Sequence, residues 1–111
     1  GVDMFDCVMP TRNGRNAMLF TKHGIMNMRN EKWKYDYSPI EEDGASFVDT
    51  LYSKAYLRHL FAAQELLALE IASIHNLAFY VWLTQEARKH ILMDDYASWK
   101  KSMLEEVTRR L

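Results

Sequence analysis

Apolar and polar positions change rhythm twice along the chain. Residues 2 to 8 are apolar except for Asp3 and Asp6 and read as a short strand. Pro10 and Gly14 then punctuate a tight loop in which Arg12 and Arg15 stand three apart, and these turn residues argue against a helix there. Residues 19–21 and 25–29 read as a hairpin around Lys22-His23-Gly24, and residues 30–50, with Pro39 and Gly44, as mostly loop. From Tyr52 onward there is neither proline nor glycine, and Leu, Ala, Glu, Lys and Arg dominate, which predicts helix. Ser53 is the expected N-cap of a first helix with an apolar face of Tyr56, Leu57, Leu60 and Phe61. A second starts near Gln64, with His75-Asn76 kinking or dividing it. Asp94-Asp95 separate the last, where Trp99, Met103 and Val107 form a stripe of period four. The fold class is therefore α+β: a strand and a β-hairpin, then three or four helices, in one compact unit whose composition changes between residues 1–51 and 52–111.

With 111 residues, 49% hydrophobic and 13% aromatic, the chain can bury one modest core. Trp33, Trp82 and Trp99 are its expected anchors, Trp33 having the alternative of stacking on RNA. The net charge of −1 provides no global field for nucleic acid, so any such binding needs a local basic patch. Arg12 and Arg15 offer one, and Lys22, Arg29, Lys32 and Lys34 extend it by charge alone. The single cysteine, Cys7, excludes an internal disulfide, suits a reducing cytosol, and in an apolar strand reads as a small buried packing residue. No signal peptide is evident, and the longest apolar run, residues 77–83, falls short of the roughly 20 residues a spanning helix needs, so no membrane role is expected.

Candidate chemistry concentrates at the first sixteen residues. An apolar run carries the Asp6 carboxylate into a loop studded with cations, an arrangement suited to a covalent or acid/base step on the sugar of a polyanion. Taken alone, an acidic residue at a strand end is more often structural, and Arg-x-x-Arg more often solvated loop charge. Asp3 reads as a hydrogen-bonded support for the strand.

The segment Gly1-Val2-Asp3-Met4-Phe5-Asp6-Cys7-Val8-Met9-Pro10-Thr11-Arg12-Asn13-Gly14-Arg15-Asn16 resembles the nucleophile segment of the tRNA-guanine transglycosylases, also called queuine tRNA-ribosyltransferases. The resemblance continues through Leu19-Phe20, Met28-Arg29-Asn30, residues 52–60 and residues 74–80. It implies a parent (β/α)8 TIM barrel of which this chain is a carboxyl-terminal fragment, an expectation that a first residue other than Met suits. Residues 1–51 then end the catalytic barrel, with nucleophile strand, RNA-reading loop and hairpin, and residues 52–111 form a helical subdomain. The implied reaction exchanges guanine at the anticodon wobble position of a cytoplasmic tRNA with a G-U-N anticodon for a 7-deazaguanine, prequeuosine or queuine. Asp6 falls at the nucleophile position, and Arg12 and Arg15 at the positions that contact the anticodon loop. Tyr52, Tyr56 and His59 fall at homodimer-interface positions. The purine pocket and the general acid/base lie outside these residues, so the isolated chain is expected to be inactive. A noncatalytic RNA-binding or dimerisation module is the alternative.

One departure stands out. Most members of the family carry Cys-x-Cys-x-x-Cys and a later histidine as a structural zinc site. Alignment on Tyr52-Ser53-Lys54-Ala55-Tyr56 places Gly44, Ser46 and Asp49 at the three cysteine positions and His75 at the fourth, with the 26-residue spacing from 49 to 75 kept. One histidine and one carboxylate do not close a tetrahedral site, so no zinc is expected. The expectation instead is that Asp49 and His75 bond each other, with Phe47 and Val48 packing beside them.

Overall fold

A computed structural model describes residues 2–111, so Gly1, the start of the resembling segment, lies outside the described residues. The elements run α1 (Met9–Arg15), β1 (Met18–Thr21), β2 (Gly24–Asn27), a 3-10 turn (Glu31–Trp33), α2 (Val48–Leu51), α3 (Lys54–Ala62), α4 (Leu66–Leu92) and α5 (Tyr96–Val107). The class is α+β, a two-stranded antiparallel hairpin with five helices.

The first sixteen residues correct two expectations. Residues 2–8 form no strand. A single extended segment has no ladder to satisfy its backbone groups, and no other strand lies beside it among the described residues. The loop expected around Arg12 is a helix, because Pro10 sits in its first turn, where a missing N–H and a fixed φ help rather than hinder. Gly14 is not a turn residue either. A Cβ there would lie 3.1 Å from the backbone of Ala72, so glycine lets α1 lie close against α4.

In the hairpin, Met18 pairs with Asn27 and Thr21 with Gly24, leaving Lys22-His23 as a two-residue loop. Thr21 Oγ1 donates to the Gly24 carbonyl at 2.8 Å and accepts from the His23 N–H. Gly24, at φ +145°, occupies backbone space that favours glycine, and a side chain there would meet the Arg109 carbonyl. The C-terminal residues cover the β2 edge: the Ile25 N–H donates to Arg109 O at 2.7 Å and the Leu111 N–H to Ile25 O at 3.0 Å.

Ser53 caps α3 by accepting from the Tyr56 N–H. Leu57, Leu60 and Phe61 face the core, whereas Tyr56 is exposed, which removes it from the expected apolar face. The helices end without glycine. Gln64 and Asp94 each take φ 58°, and the N–H groups of Glu65 and Asp95 reach back to Leu60 O and His90 O, closing both ends in the same left-handed cap. Breaks near Gln64 and at Asp94-Asp95 thus fall where expected. The expected kink or division at His75-Asn76 does not occur, and α4 runs unbroken for 27 residues.

The buried stripe of α4 is Ala68, Ile71, Ala72, His75, Asn76 and Phe79, a helical spacing that packs on α1, β1 and α3. Leu19, Met26, Met28, Trp33, Ile40, Val48 and Leu57 complete the core. Trp33 is an anchor, and with its Nε1–H donated to Asn27 O at 3.0 Å it is not free to stack on RNA. Trp82 and Trp99 are only half-buried. Beyond Tyr80, α4 projects with α5 as a helical hairpin, giving extents of 46 × 25 × 21 Å. His90 stacks on Trp99 there, and Trp99, Met103 and Val107 are the sheltered positions of α5. By length and composition α4 also suffices to cross a bilayer, which the run 77–83 understates. Its stripe carries two hydrogen-bonded polar residues, however, which makes it a packing helix in this fold.

Candidate functional site

Asp6 sits in the extended stretch that leads into α1, and its neighbours Val2, Met4, Phe5 and Val8 are exposed apolar side chains. Cys7 is exposed, not buried as expected, since without a strand there is no strand face to bury. Asp3 is exposed too, and no described hydrogen bond gives it the supporting role expected. The stretch passes near Tyr80, whose hydroxyl donates to Met9 Sδ at 3.9 Å. Burial pushes the Tyr80 phenol above its ordinary value, and the nearby Cys7 adds to the rise.

Arg12 and Arg15 lie in the last turn of α1, exposed and on adjacent helical positions, where cations complement the C-terminal end of the helix dipole. Arg15 borders an open groove formed with Leu69, Glu70, Ser73 and Ile74 of α4. None of the described hydrogen bonds or ion pairs joins Asp6 to either arginine. Of the other cations, Lys22 reaches the Asp43 carbonyl and lies 4.7 Å from the Trp82 ring centroid, and Lys32 and Lys34 lie over Trp33 and Tyr35. Each is engaged locally. Arg29 is exposed, on the far side of the hairpin turn from α1's arginines in sequence.

Tyr52 and Tyr56 stack with ring centroids 5.8 Å apart, Tyr52 half-buried against the core and Tyr56 exposed. His59, a turn further along α3, is exposed as well. Tyr56 and His59 therefore present a surface, while Tyr52 packs partly against the core.

Two adjacent residues of α4 hold these parts together. Asn76, fully buried, donates its amide hydrogens to Pro10 O of α1 and Met18 O of β1, both at 2.9 Å, and accepts from the Phe20 N–H at 3.0 Å. His75, 1% exposed, places Nδ1 2.5 Å from Asp49 Oδ1 and Nε2 2.8 Å from the Phe20 carbonyl. A carbonyl only accepts, so Nε2 donates its hydrogen to Phe20 O, and Nδ1 is the nitrogen that hydrogen-bonds the Asp49 carboxyl. Asp49 Oδ2 accepts from the Ser46 N–H at 2.8 Å. Of the expected packing neighbours, Val48 is buried and Phe47 is exposed. Glu41, also buried, accepts from the Lys22 N–H at 2.7 Å. Burial is the main cause holding its carboxyl above the ordinary value, and Asp43 and Asp49 contribute.

Asn76 and Glu41 are the residues that the sequence reading missed. The signal for Asn76 was present: polar side chains at 75 and 76 continue the spacing of Ala68, Ile71, Ala72 and Phe79, and a polar residue on a buried stripe must bond something.

The family model described as "TGT: Queuine tRNA-ribosyltransferase" matches residues 1–109. The queuine tRNA-ribosyltransferase of Helicobacter pylori is 53% identical over 110 residues, 99% of this chain and 30% of the relative. That of Helicobacter acinonychis is 53% identical over 108 residues, 97% of this chain and 29% of the relative. That of Aquifex aeolicus is 44% identical over 111 residues, all of this chain and 29% of the relative. The chain thus spans about three-tenths of the length of the relatives it matches.

Proposed function

We propose, from the premise that this chain belongs to the queuine tRNA-ribosyltransferase family, that it is part of an enzyme exchanging guanine for a 7-deazaguanine in tRNA. The match over residues 1–109 carries the reading, because it takes in Asp6, Arg12 and Arg15 in one uninterrupted segment. In the mechanism, an Asp6 carboxylate oxygen attacks C1′ of the wobble guanosine ribose. The C1′–N9 bond breaks, and guanine leaves with a proton from an acid outside these residues. The incoming base, its N9 proton taken up by a base, attacks C1′ and expels Asp6, so two inversions restore the original configuration. A carboxylate suits both roles, as nucleophile and as partner to positive charge developing on the sugar.

Arg12 and Arg15, side by side at the exposed end of α1, hold the anticodon loop of a G-U-N tRNA while the target base is out of its stack. The bare apolar side chains of residues 2–8 suit a strand whose neighbours come from a surrounding (β/α)8 barrel, to which residues 1–51 contribute the end and residues 52–111 a helical subdomain. The exposed Tyr56 and His59, with the half-buried Tyr52 stacked on Tyr56, suit a homodimer interface, and the reaction belongs in the cytoplasm with its tRNA.

Trapping tests this. Full-length protein incubated with tRNA and a slowly released purine analogue should give a denaturation-resistant complex that Asp6→Asn abolishes. If tRNA binds but no complex forms, the noncatalytic RNA-binding reading replaces it. In either case Arg12→Ala with Arg15→Ala should weaken tRNA binding and reduce the salt dependence by about 0.7 in log–log slope for each phosphate that is no longer neutralised.

A further inference from the structure

The junction of α4 with α2 and the loop that precedes it, residues 41–47, is where this chain departs from its family's zinc pattern, and its geometry tests whether the residues present fit a metal. They do not. Of the four aligned positions, Gly44 has no donor atom, and a Cβ built on it would fall onto the Asp49 carboxylate. The two positions are therefore coupled sterically: the space that a side chain at 44 would use is the space that the Asp49 side chain occupies. Ser46 contributes a neutral hydroxyl whose Oγ is buried without a described partner, and its backbone N–H is already given to Asp49 Oδ2. Asp49 Oδ1 meets His75 Nδ1, and the remaining imidazole nitrogen is held by Phe20 O.

Glu41 brings a third donor close, its carboxylate, that of Asp49 and the His75 imidazole offering atoms within 4.8 Å of one another. Its Oε1, however, accepts from the Lys22 N–H. Structural zinc takes four ligands, thiolate and imidazole above all. Here the donors in reach are two carboxylates, a hydroxyl and one imidazole whose two nitrogens are both engaged.

We propose that this junction is metal-independent: a hydrogen-bonded relay from Ser46 N–H through Asp49 and His75 to the Phe20 carbonyl ties the loop, α4 and β1 together where a metal would otherwise do so. The relay has the reach that such a tie requires. It connects residues 26 and 55 positions apart in sequence, and both side chains at its centre are 1% exposed. A carboxylate–imidazole pair also needs no delivery of metal and has no thiolate to oxidise, so the fold forms without zinc supply and withstands oxidants that attack cysteine ligands.

The test is metal analysis of the purified full-length protein together with thermal unfolding with and without EDTA and 1,10-phenanthroline. The expected result is no stoichiometric metal and a Tm that neither chelator nor added Zn²⁺ moves. Asp49→Ala should lower the Tm equally in metal-replete and metal-depleted buffer, and Ser46→Ala, which deletes only the orphaned hydroxyl, should not lower it. Stoichiometric zinc or any other tightly bound cation, or a Tm that falls on chelation, overturns the proposal. Because these readouts involve neither tRNA nor turnover, their outcome is separate from that of the transglycosylase reading.

Discussion

Two regions of the molecule carry its unusual polar residues in opposite ways. Around Asp6, the side chains of Asp6, Arg12 and Arg15 stand exposed near uncovered apolar side chains, with no partner among the described side-chain hydrogen bonds and ion pairs. Around His75, the polar residues are almost fully buried and, Ser46 Oγ aside, bonded within the chain. The contrast separates two kinds of completeness. On the proposal above, the junction needs only these residues, which fix elements of this chain to one another. The segment at Asp6 needs more: on the proposed function its carboxylate would require a pocket, an acid and a substrate that the rest of a longer enzyme would supply.

Substitutions at the two regions should therefore split function from stability. The largest effect is expected from Asp6→Asn, which should lower base exchange by roughly 10⁴-fold or more, as removal of a covalent nucleophile does. An exposed side chain supports no packing, so the unfolding midpoint in urea should stay where it is. A comparable drop in stability in Asp6→Asn would erase the distinction between the regions. Asp49→Ala should behave the other way. It strands the His75 Nδ1 side of a fully buried pair and should cost about 3–5 kcal/mol in equilibrium denaturation.

How far each region was legible follows from the same contrast. The place of the hairpin, the Ser53 cap, the breaks near Gln64 and at Asp94, and the Asp49–His75 pairing could be read, because each depends on residues near in sequence or on a fixed spacing. The hairpin's register could not: Gly24, expected in the turn, opens β2 and pairs with Thr21. The residues 2–8 misled because their apolar pattern is that of a strand, and a strand exists only with a neighbour to pair with. Pro10 and Gly14 misled for a different reason: both residue types are common in turns, but here one sits where a helix begins and the other where α4 passes close against the backbone. Which meaning applies depends on tertiary neighbours that a local pattern does not contain. His75-Asn76 is the intermediate case. Its polar character on an apolar stripe and the Asp49 partner were visible, whereas its partners 55 to 66 residues away were not.

Asn76 connects the two regions and so sharpens the comparison. Its side chain joins Pro10 O in α1 to Met18 O and the Phe20 N–H in β1. Asn76→Ala removes three hydrogen bonds to backbone groups of α1 and β1 and should cost about 2 kcal/mol or more. Since α1 also carries Arg12 and Arg15, the variant should weaken tRNA binding although both arginines remain, and hydrogen exchange should quicken in α1 before it does in α5. Uniform quickening along the chain would make Asn76 a general core residue with no particular hold on α1.

The smallest effect is expected at Glu41, where the junction holds a charge that its burial opposes. The carboxyl lies above its ordinary value of 4.5 because desolvation disfavours the ionised form, so the folded state binds its proton more tightly than the unfolded chain. The stabilising contribution of that proton is complete below the unfolded pKa and disappears as pH rises through the higher folded value. At neutral pH Glu41 is consequently a cost of the junction. Glu41→Gln removes the charge and keeps an oxygen to accept from the Lys22 N–H, so it should stabilise the protein at pH 7. The gain should shrink on acidification and vanish below about 4.5, where wild-type Glu41 is itself neutral. A gain of the same size at both ends of that range would trace to packing and not to charge, and the junction would then be buried without an electrostatic penalty.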